Sequence, residues 1–360
     1  MNSRSQVKFE DFLLGNFNIE PWLFANRASK LLYVFLQVYT NEDDVILLPA
    51  NACHALAQTI LLAKRTIHFV DINIDDYNIS LESLKSAIIT APKPPRVLIA
   101  IHSFGHFLEL DKVSKYCSEK SIFLIEDRCI LFNNDATAHE SDAVLLSFGN
   151  NKPFDAGGGG AMHIRDVNLS QQIAKILKSL NDIPESKAVA MSFSKEYYQI
   201  REREKELGIE RGGIQVLTHK YKDFILNGVN RIDFDACINV SKNIALSNMV
   251  RKKNFEYLFS KLEGTKGITL PSPNLKSIPW RFSFLLKEQS GRDALLVALR
   301  SKIQHSSKWY PSIDADFDTR NLECTTALDV EKRIVNLWLD SSIDNIYLDT
   351  AVNMIREQYD

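Results

Sequence analysis

Three strand-like apolar runs end in residues able to do chemistry. Ile122-Phe123-Leu124-Ile125 leads into Glu126-Asp127, Ala143-Val144-Leu145-Leu146 leads into Ser147 and then Lys152, and Val97 to Ile101 leads into His102-Ser103-Phe104-Gly105. In open parallel sheets the ligand crevice lies beyond the carboxyl ends of the strands, so polar residues there are the first candidates for a site. Four consecutive glycines, Gly157 to Gly160, follow Lys152. A Walker-type phosphate loop places its lysine after the glycines, with Ser or Thr opening a helix; here the order is reversed. A lysine just past a strand, beside glycines that let backbone approach a flat ligand, suits an amine that forms a Schiff base with an aldehyde. The competing readings are a solvated surface lysine for Lys152 and a helix N-cap or loop carboxylate for Asp127.

The elements that must position these residues alternate. Val45 to Leu48, Ile67 to Val70, Val97 to Ile101, Ile122 to Ile125 and Ala143 to Leu146 are nearly continuous in hydrophobicity, as strands covered on both faces are. Amphipathic stretches at Ala52 to Leu62, Leu81 to Ile89 and Leu110 to Lys120 separate them, which predicts βαβ units and a mainly parallel sheet. From Leu169 to Leu226 the text is helical and charged. After Val240 come a long helical pattern through Leu258, a strand candidate Arg281 to Leu286, a helix Arg292 to Ser301 and a last helix from Ser342, the outline of a small α+β domain. The predicted division is residues 1–240 and 241–360.

Composition narrows the function classes. The chain has 360 residues, 43 Lys+Arg against 45 Asp+Glu, and a formal charge of −2, so it has no basic surplus with which to neutralise a run of phosphates; no nucleic-acid partner is expected. The apolar stretch Leu31 to Val38 is less than half of a membrane span, and Glu10 and Asp11 precede it, so no membrane partner and a cytoplasmic location are expected. Five scattered cysteines without a Cys-x-x-Cys predict reduced thiols and no metal centre. No Gly-x-Gly-x-x-Gly opens a helix after an early strand, which sets aside an NAD-dependent enzyme.

Five segments in order carry a family likeness. Leu48-Pro49-Ala50-Asn51-Ala52-Cys53-His54-Ala55, Phe69-Val70-Asp71 running on to Asp75-Asp76-Tyr77-Asn78-Ile79, Ile101-His102-Ser103-Phe104-Gly105, Ile125-Glu126-Asp127, and Ser147-Phe148 ahead of Lys152 resemble the DegT/DnrJ/EryC1/StrS aminotransferases over about residues 26–164. The resemblance implies the PLP-transferase fold type I: a large α/β domain with a mainly parallel seven-stranded sheet between helices, plus a small C-terminal α+β domain. It also implies the cofactor pyridoxal 5'-phosphate (PLP), an amino-acid donor such as glutamate, a keto-sugar acceptor linked to a nucleotide, a place in surface-polysaccharide or deoxyamino-sugar biosynthesis, and a homodimer.

Residue by residue, the resemblance gives Lys152 the covalent link to PLP and the proton transfer, and Asp127 the pyridinium nitrogen. Ser147 and Ser29 become phosphate ligands, with Ala28 where the family has glycine; Ser29 is equally an N-cap candidate. His54 or Cys53 falls where the family stacks an aromatic ring on the cofactor; His54 is otherwise an ordinary helix-start histidine. His102 reads as structural. Gly228-Val229-Asn230-Arg231 is similar to a loop whose Asn and Arg approach the phosphate of the other subunit, which would make the sites shared. Trp280-Arg281-Phe282 and Trp309-Tyr310-Pro311 are candidates for substrate contact or for packing. Histidine replaces the lysine in a deoxygenating relative, so Lys152 implies amination. Ile130, Ala28 and the absent stacking ring motivate the alternative, a protein of this fold that serves as a binding or assembly partner.

Overall fold

The computed structural model describes residues 3–133, 140–180, 182–207, 213–317 and 324–359. Seven strands form the main sheet: β1 (Trp22–Ala25), β2 (Val45–Pro49), β3 (Thr66–Val70), β4 (Pro95–Ile101), β5 (Phe123–Asp127), β6 (Ala143–Ser147) and β7 (Gly160–Ile164). Their order is β1-β7-β6-β5-β4-β2-β3; β2 to β6 run parallel, β7 runs against them, and β1, antiparallel to β7, runs in the direction of β2 to β6. All five residues of β2 and of β7 are buried, as continuous apolar strands under two helical layers should be.

The chain winds out from β2 to β3 and then returns to the other side through β4, β5 and β6, which opens a crevice at their carboxyl edge. Register aligns that edge: Asp127 sits opposite Ile101 and Leu145, and Ser147 opposite Gly160. β1, which sequence pattern did not predict, is a four-residue edge strand paired with β7. Its role is delivery. It carries the chain to Ala28, where the helix Ala28–Tyr39 starts and buries Leu31, Leu32, Val34, Phe35 and Leu36 in the main core. Gly160 allows the approach: a Cβ there would stand 2.7 Å from the Ala28 nitrogen and 2.9 Å from the Leu146 oxygen.

A second, antiparallel sheet of order β10-β11-β9-β8 is built from β8 (Ile268–Thr269), β9 (Arg281–Leu286), β10 (Ser306–Ser307) and β11 (Ile334–Trp338). It packs on the helices Arg292–Lys302 and Asn345–Tyr359 around Phe282, Phe284, Leu295, Leu299, Val335 and Leu348. The helix Ile244–Leu262 joins two cores: Ile244 belongs to the cluster under β6 and β7, and Leu258 and Leu262 to that of the second sheet. Among the described residues no helix is long and apolar enough to cross a membrane.

Candidate active site

Beyond β5 and β6 the sequence turns from apolar to polar, and the loop from Ser147 to Gly157 closes on itself. The Asn151 and Gly157 amides donate to the Asp155 carboxylate at 2.8 and 2.9 Å, and the Ala156 amide donates to the Phe148 carbonyl at 3.0 Å. Phe148 and Phe154 anchor it in the core, their ring centroids 5.2 Å apart. This brace holds Lys152 over the sheet edge. Lys152 and Asp127 line one cavity of about 320 Å³, together with Ser29, Ala28, Ser147, Asn230 and the glycines Gly157 to Gly159.

Asp127 is buried, at 4% exposure, and one of its oxygens accepts the Cys129 amide at 2.8 Å. Burial works against charge on Lys152, but Tyr310, Cys53, Cys129 and Asp127 around it outweigh that and raise its pKa above the ordinary lysine value. The site therefore favours a positive nitrogen at this point. Tyr310 is its counterpart: burial chiefly, then Cys53 and Asp127, push the phenol up to about 12, with Lys152 pulling the other way.

Another part of the cavity lining favours an anion. Ser29 stands in the first turn of the helix Ala28–Tyr39, whose free amides and dipole attract negative charge. Arg27 caps that helix without a side-chain cap bond, donates to the Phe224 carbonyl at 2.8 Å, and lies 5.0 Å from the Phe224 ring centroid. Its guanidinium, whose pKa burial lowers, has no carboxylate partner among the described residues. Sequence reading stopped at Ala28-Ser29 and missed Arg27, although its position immediately before the helix start was a usable signal.

Two expected residues stand elsewhere. The His54 ring is not among the cavity's lining groups, which at this point are Cys53, Ala55 and Leu56; it stacks on Tyr197 with centroids 4.4 Å apart. Burial, then the charges of Arg27, Lys152 and Arg201, lower its pKa to about 3, so it is neutral. The helix Lys187–Leu207, far away in sequence, claims the ring. Arg231 lies in a separate depression with Asp233 and Asp235. Asn230 lines the cavity of its own chain and donates to the Gly157 carbonyl at 2.5 Å. His102 is structural: its Nε2 meets Glu126 at 2.8 Å and its Nδ1 accepts the Leu108 amide at 3.0 Å. Ile130 is buried beside Asp127 and Lys152.

An amine, a carboxylate and an anion-binding helix end on one cavity are what an aromatic aldehyde phosphate requires. The sequence profile of the DegT/DnrJ/EryC1/StrS aminotransferase family matches residues 24–356. The chain belongs to that family. Its relatives include MosB of Rhizobium meliloti, 33% identical over 173 residues that make up 47% of this chain and 33% of that protein. A UDP-4-amino-4,6-dideoxy-N-acetyl-beta-L-altrosamine transaminase of Campylobacter jejuni is 23% identical over 176 residues, 48% of this chain and 46% of that one. A GDP-4-keto-6-deoxy-D-mannose 3-dehydratase of Escherichia coli O55:H7 is 24% identical over 280 residues, 74% of this chain and 67% of that one. The chain thus spans from a third to under half the length of the first two relatives.

Among solved structures, NtdA from Bacillus subtilis, with bound cofactor PMP, superposes with a TM-score of 0.76 at 15% identity over 99% of this chain and 77% of that one. Helicobacter pylori PseC, an aminotransferase involved in pseudoaminic acid biosynthesis, gives 0.76 at 15% identity over 99% and 92%. At such identities these likenesses show the fold, which is the type I fold of PLP-dependent aminotransferases.

Proposed function

We propose that this member of the family is a PLP-dependent aminotransferase that moves an amino group from an amino acid, glutamate, to a nucleotide-linked keto sugar, acting in the cytoplasm as a homodimer in surface-polysaccharide or deoxyamino-sugar biosynthesis. The observation that carries the reading is the convergence of Lys152 and Asp127 on one cavity that Ser29, Ser147 and Arg27 also line. The residues fit the cofactor: an amine for its aldehyde, a carboxylate for its ring nitrogen, and two hydroxyls, a guanidinium and a helix end for its phosphate. When bound, PLP supplies the carbonyl that takes the donor's nitrogen and an electron-withdrawing ring.

The chain's own groups do the rest. Asp127 holds a proton at the ring nitrogen, since a buried carboxylate favours a cation in contact with it. Lys152 Nζ would hold the cofactor's aldehyde carbon by condensing with it and losing water, and once displaced would carry the proton to and from the substrate carbon. Arg27 and Ser29 would hold the phosphate. Retention of a lysine at position 152 favours amination over the deoxygenation chemistry that the dehydratase's name describes.

The test is optical and chemical. Purified protein given PLP should turn yellow, borohydride should fix the label on Lys152 as read by peptide mass, and glutamate should discharge the colour. A panel of keto-sugar nucleotides should then restore the colour with formation of an amino sugar. Protein that stays colourless in excess PLP, or that takes the label on another lysine, overturns the reading.

A further inference from the structure

We propose that Arg281 and Arg251 form an oxyanion subsite that seats the carboxylate or phosphate of a substrate beside Lys152. The proposal rests on the aminotransferase reading and extends it to substrate recognition. Lys152 lines a second cavity, of about 510 Å³, on the side facing the second sheet; Asn151, Ser247, Arg251, Arg281 and Asp340 line it too. Arg281 opens β9 and is buried, at 4% exposure. Its guanidinium carbon lies 4.1 Å from the Trp280 ring centroid and 4.0 Å from that of Trp338, so two indoles fix its plane.

The pair is short of negative charge. Nη1 of Arg281 and Nη1 of Arg251 donate to the same Trp280 carbonyl, at 3.0 and 3.3 Å, which sets two like charges side by side. The Nε atoms of both are buried without a hydrogen-bond partner. The carboxylate in reach, Asp340, turns Oδ2 toward Arg281 at 3.8 Å, beyond hydrogen-bond distance, while its Oδ1 takes the Ser342 amide and hydroxyl. Arg201 and Arg65 have closer partners. Arg201 has both Asp316 and Glu331 at 2.9 Å, and Arg65 gives its protons to the Thr40 hydroxyl and to the Thr40, Leu36 and Ala63 carbonyls.

Burying two adjacent cations against a single carboxylate is costly, and an oxyanion entering the cavity would offset that cost with charge-assisted bonds. The position suits a substrate group rather than a separate ligand. The Trp280 indole that carries Arg281 donates to the Asn151 carbonyl at 2.8 Å, which holds the subsite at a set distance from the neighbouring Lys152. A planar fork stacked between two rings selects a flat or tetrahedral group with two free oxygens, as found in an amino-acid carboxylate and in a sugar nucleotide's diphosphate.

The experiment uses two unreactive probes, glutarate and inorganic phosphate, titrated into the holoprotein while tryptophan fluorescence is followed, because Trp280 and Trp338 flank Arg281. Wild type should give a saturable change, weakened at least tenfold in Arg281→Met and partly rescued in Arg281→Lys. Ser247→Phe, which fills the cavity while leaving both arginines in the chain, should block it as well and covers the case of a misfolded Arg281→Met. In turnover, Arg281→Met should raise KM tenfold or more for one substrate with a smaller change in kcat: for glutamate if the donor carboxylate is seated, for the keto-sugar nucleotide if the diphosphate is. Equal probe binding by wild type and both variants, or weakened probe binding with neither KM altered, overturns the proposal, the latter showing an adventitious ion only. Borohydride labelling of Lys152 in Arg281→Met separates the two readings, because it reports PLP attachment whether or not this subsite exists.

Discussion

Glu126 and Asp127 stand next to each other at the end of β5 and meet opposite fates. Strand alternation sends them to opposite faces. Glu126 is fully buried and closed in: His102 Nε2 at 2.8 Å, Arg128 Nη1 at 3.1 Å and the Ser141 hydroxyl at 3.4 Å saturate it. Burial works to raise its pKa, yet Arg128, His102 and Ser141 prevail and hold it below the usual carboxylate range. Asp127 has one backbone donor and a cavity. A charge surrounded by partners holds the fold together, whereas a charge left partly unanswered at a cavity is available to a ligand. Arg65 and Arg281 repeat the contrast with the opposite sign.

Breaking the contrast on the open side should have the largest effect. Lys152→Ala should abolish turnover, and Asp127→Asn should lower kcat by on the order of 10³-fold with an unchanged urea midpoint, measured on PLP-saturated protein. A kcat within threefold of wild type for Asp127→Asn would remove Asp127 from the chemistry. The closed side should behave in reverse: Glu126→Gln leaves the buried Arg128 guanidinium without its counter-charge and should cost about 3 kcal/mol in urea unfolding. Activity per folded molecule should stay close to wild type.

A buried group without a charged partner gives a pH-dependent version of the test. Burial lowers the pKa of His106 to about 4, and its Nε2 has no hydrogen-bond partner. The folded chain keeps this ring neutral while the unfolded chain protonates it below about 6.5, so stability is full above that pH and falls as pH drops toward 4. By pH 5 the loss should be about 2 kcal/mol, and His106→Phe should remove that part of the slope in urea titrations at successive pH values. The smallest expected effect lies at the phosphate end, where Arg27→Met should weaken PLP binding about tenfold in equilibrium dialysis, one charge-assisted bond among several.

Strands β2 to β6 were legible because helices on both faces make each a continuous apolar run, and the site followed from what ends them. Asp127, Ser147 and Lys152 could be named because the carboxyl edge of a parallel sheet is a property of topology, not of side-chain direction. β1 was not legible: four residues at an antiparallel edge give no run. Neither was β11, which follows the charged helix Thr325–Arg333 without a break. The helix Ile244–Leu262 explains why no linker showed in the text, since a continuous helix passes from one core to the other. The two readings of His54 could not be separated in the sequence, because its stacking neighbour Tyr197 comes from a helix over a hundred residues later. Segments rich in polar residues specify their orientation only through tertiary partners, and Arg27 and the Trp280 carbonyl shared by two arginines belong to that class.

The bond from the Trp280 indole to the Asn151 carbonyl ties the amine-bearing turn to the first residues of β9. Any outward swing of the second sheet must either break that link or drag the turn along with it. Under the proposed function, ligand traffic would therefore be mechanically coupled to the posture of Lys152 relative to Asp127.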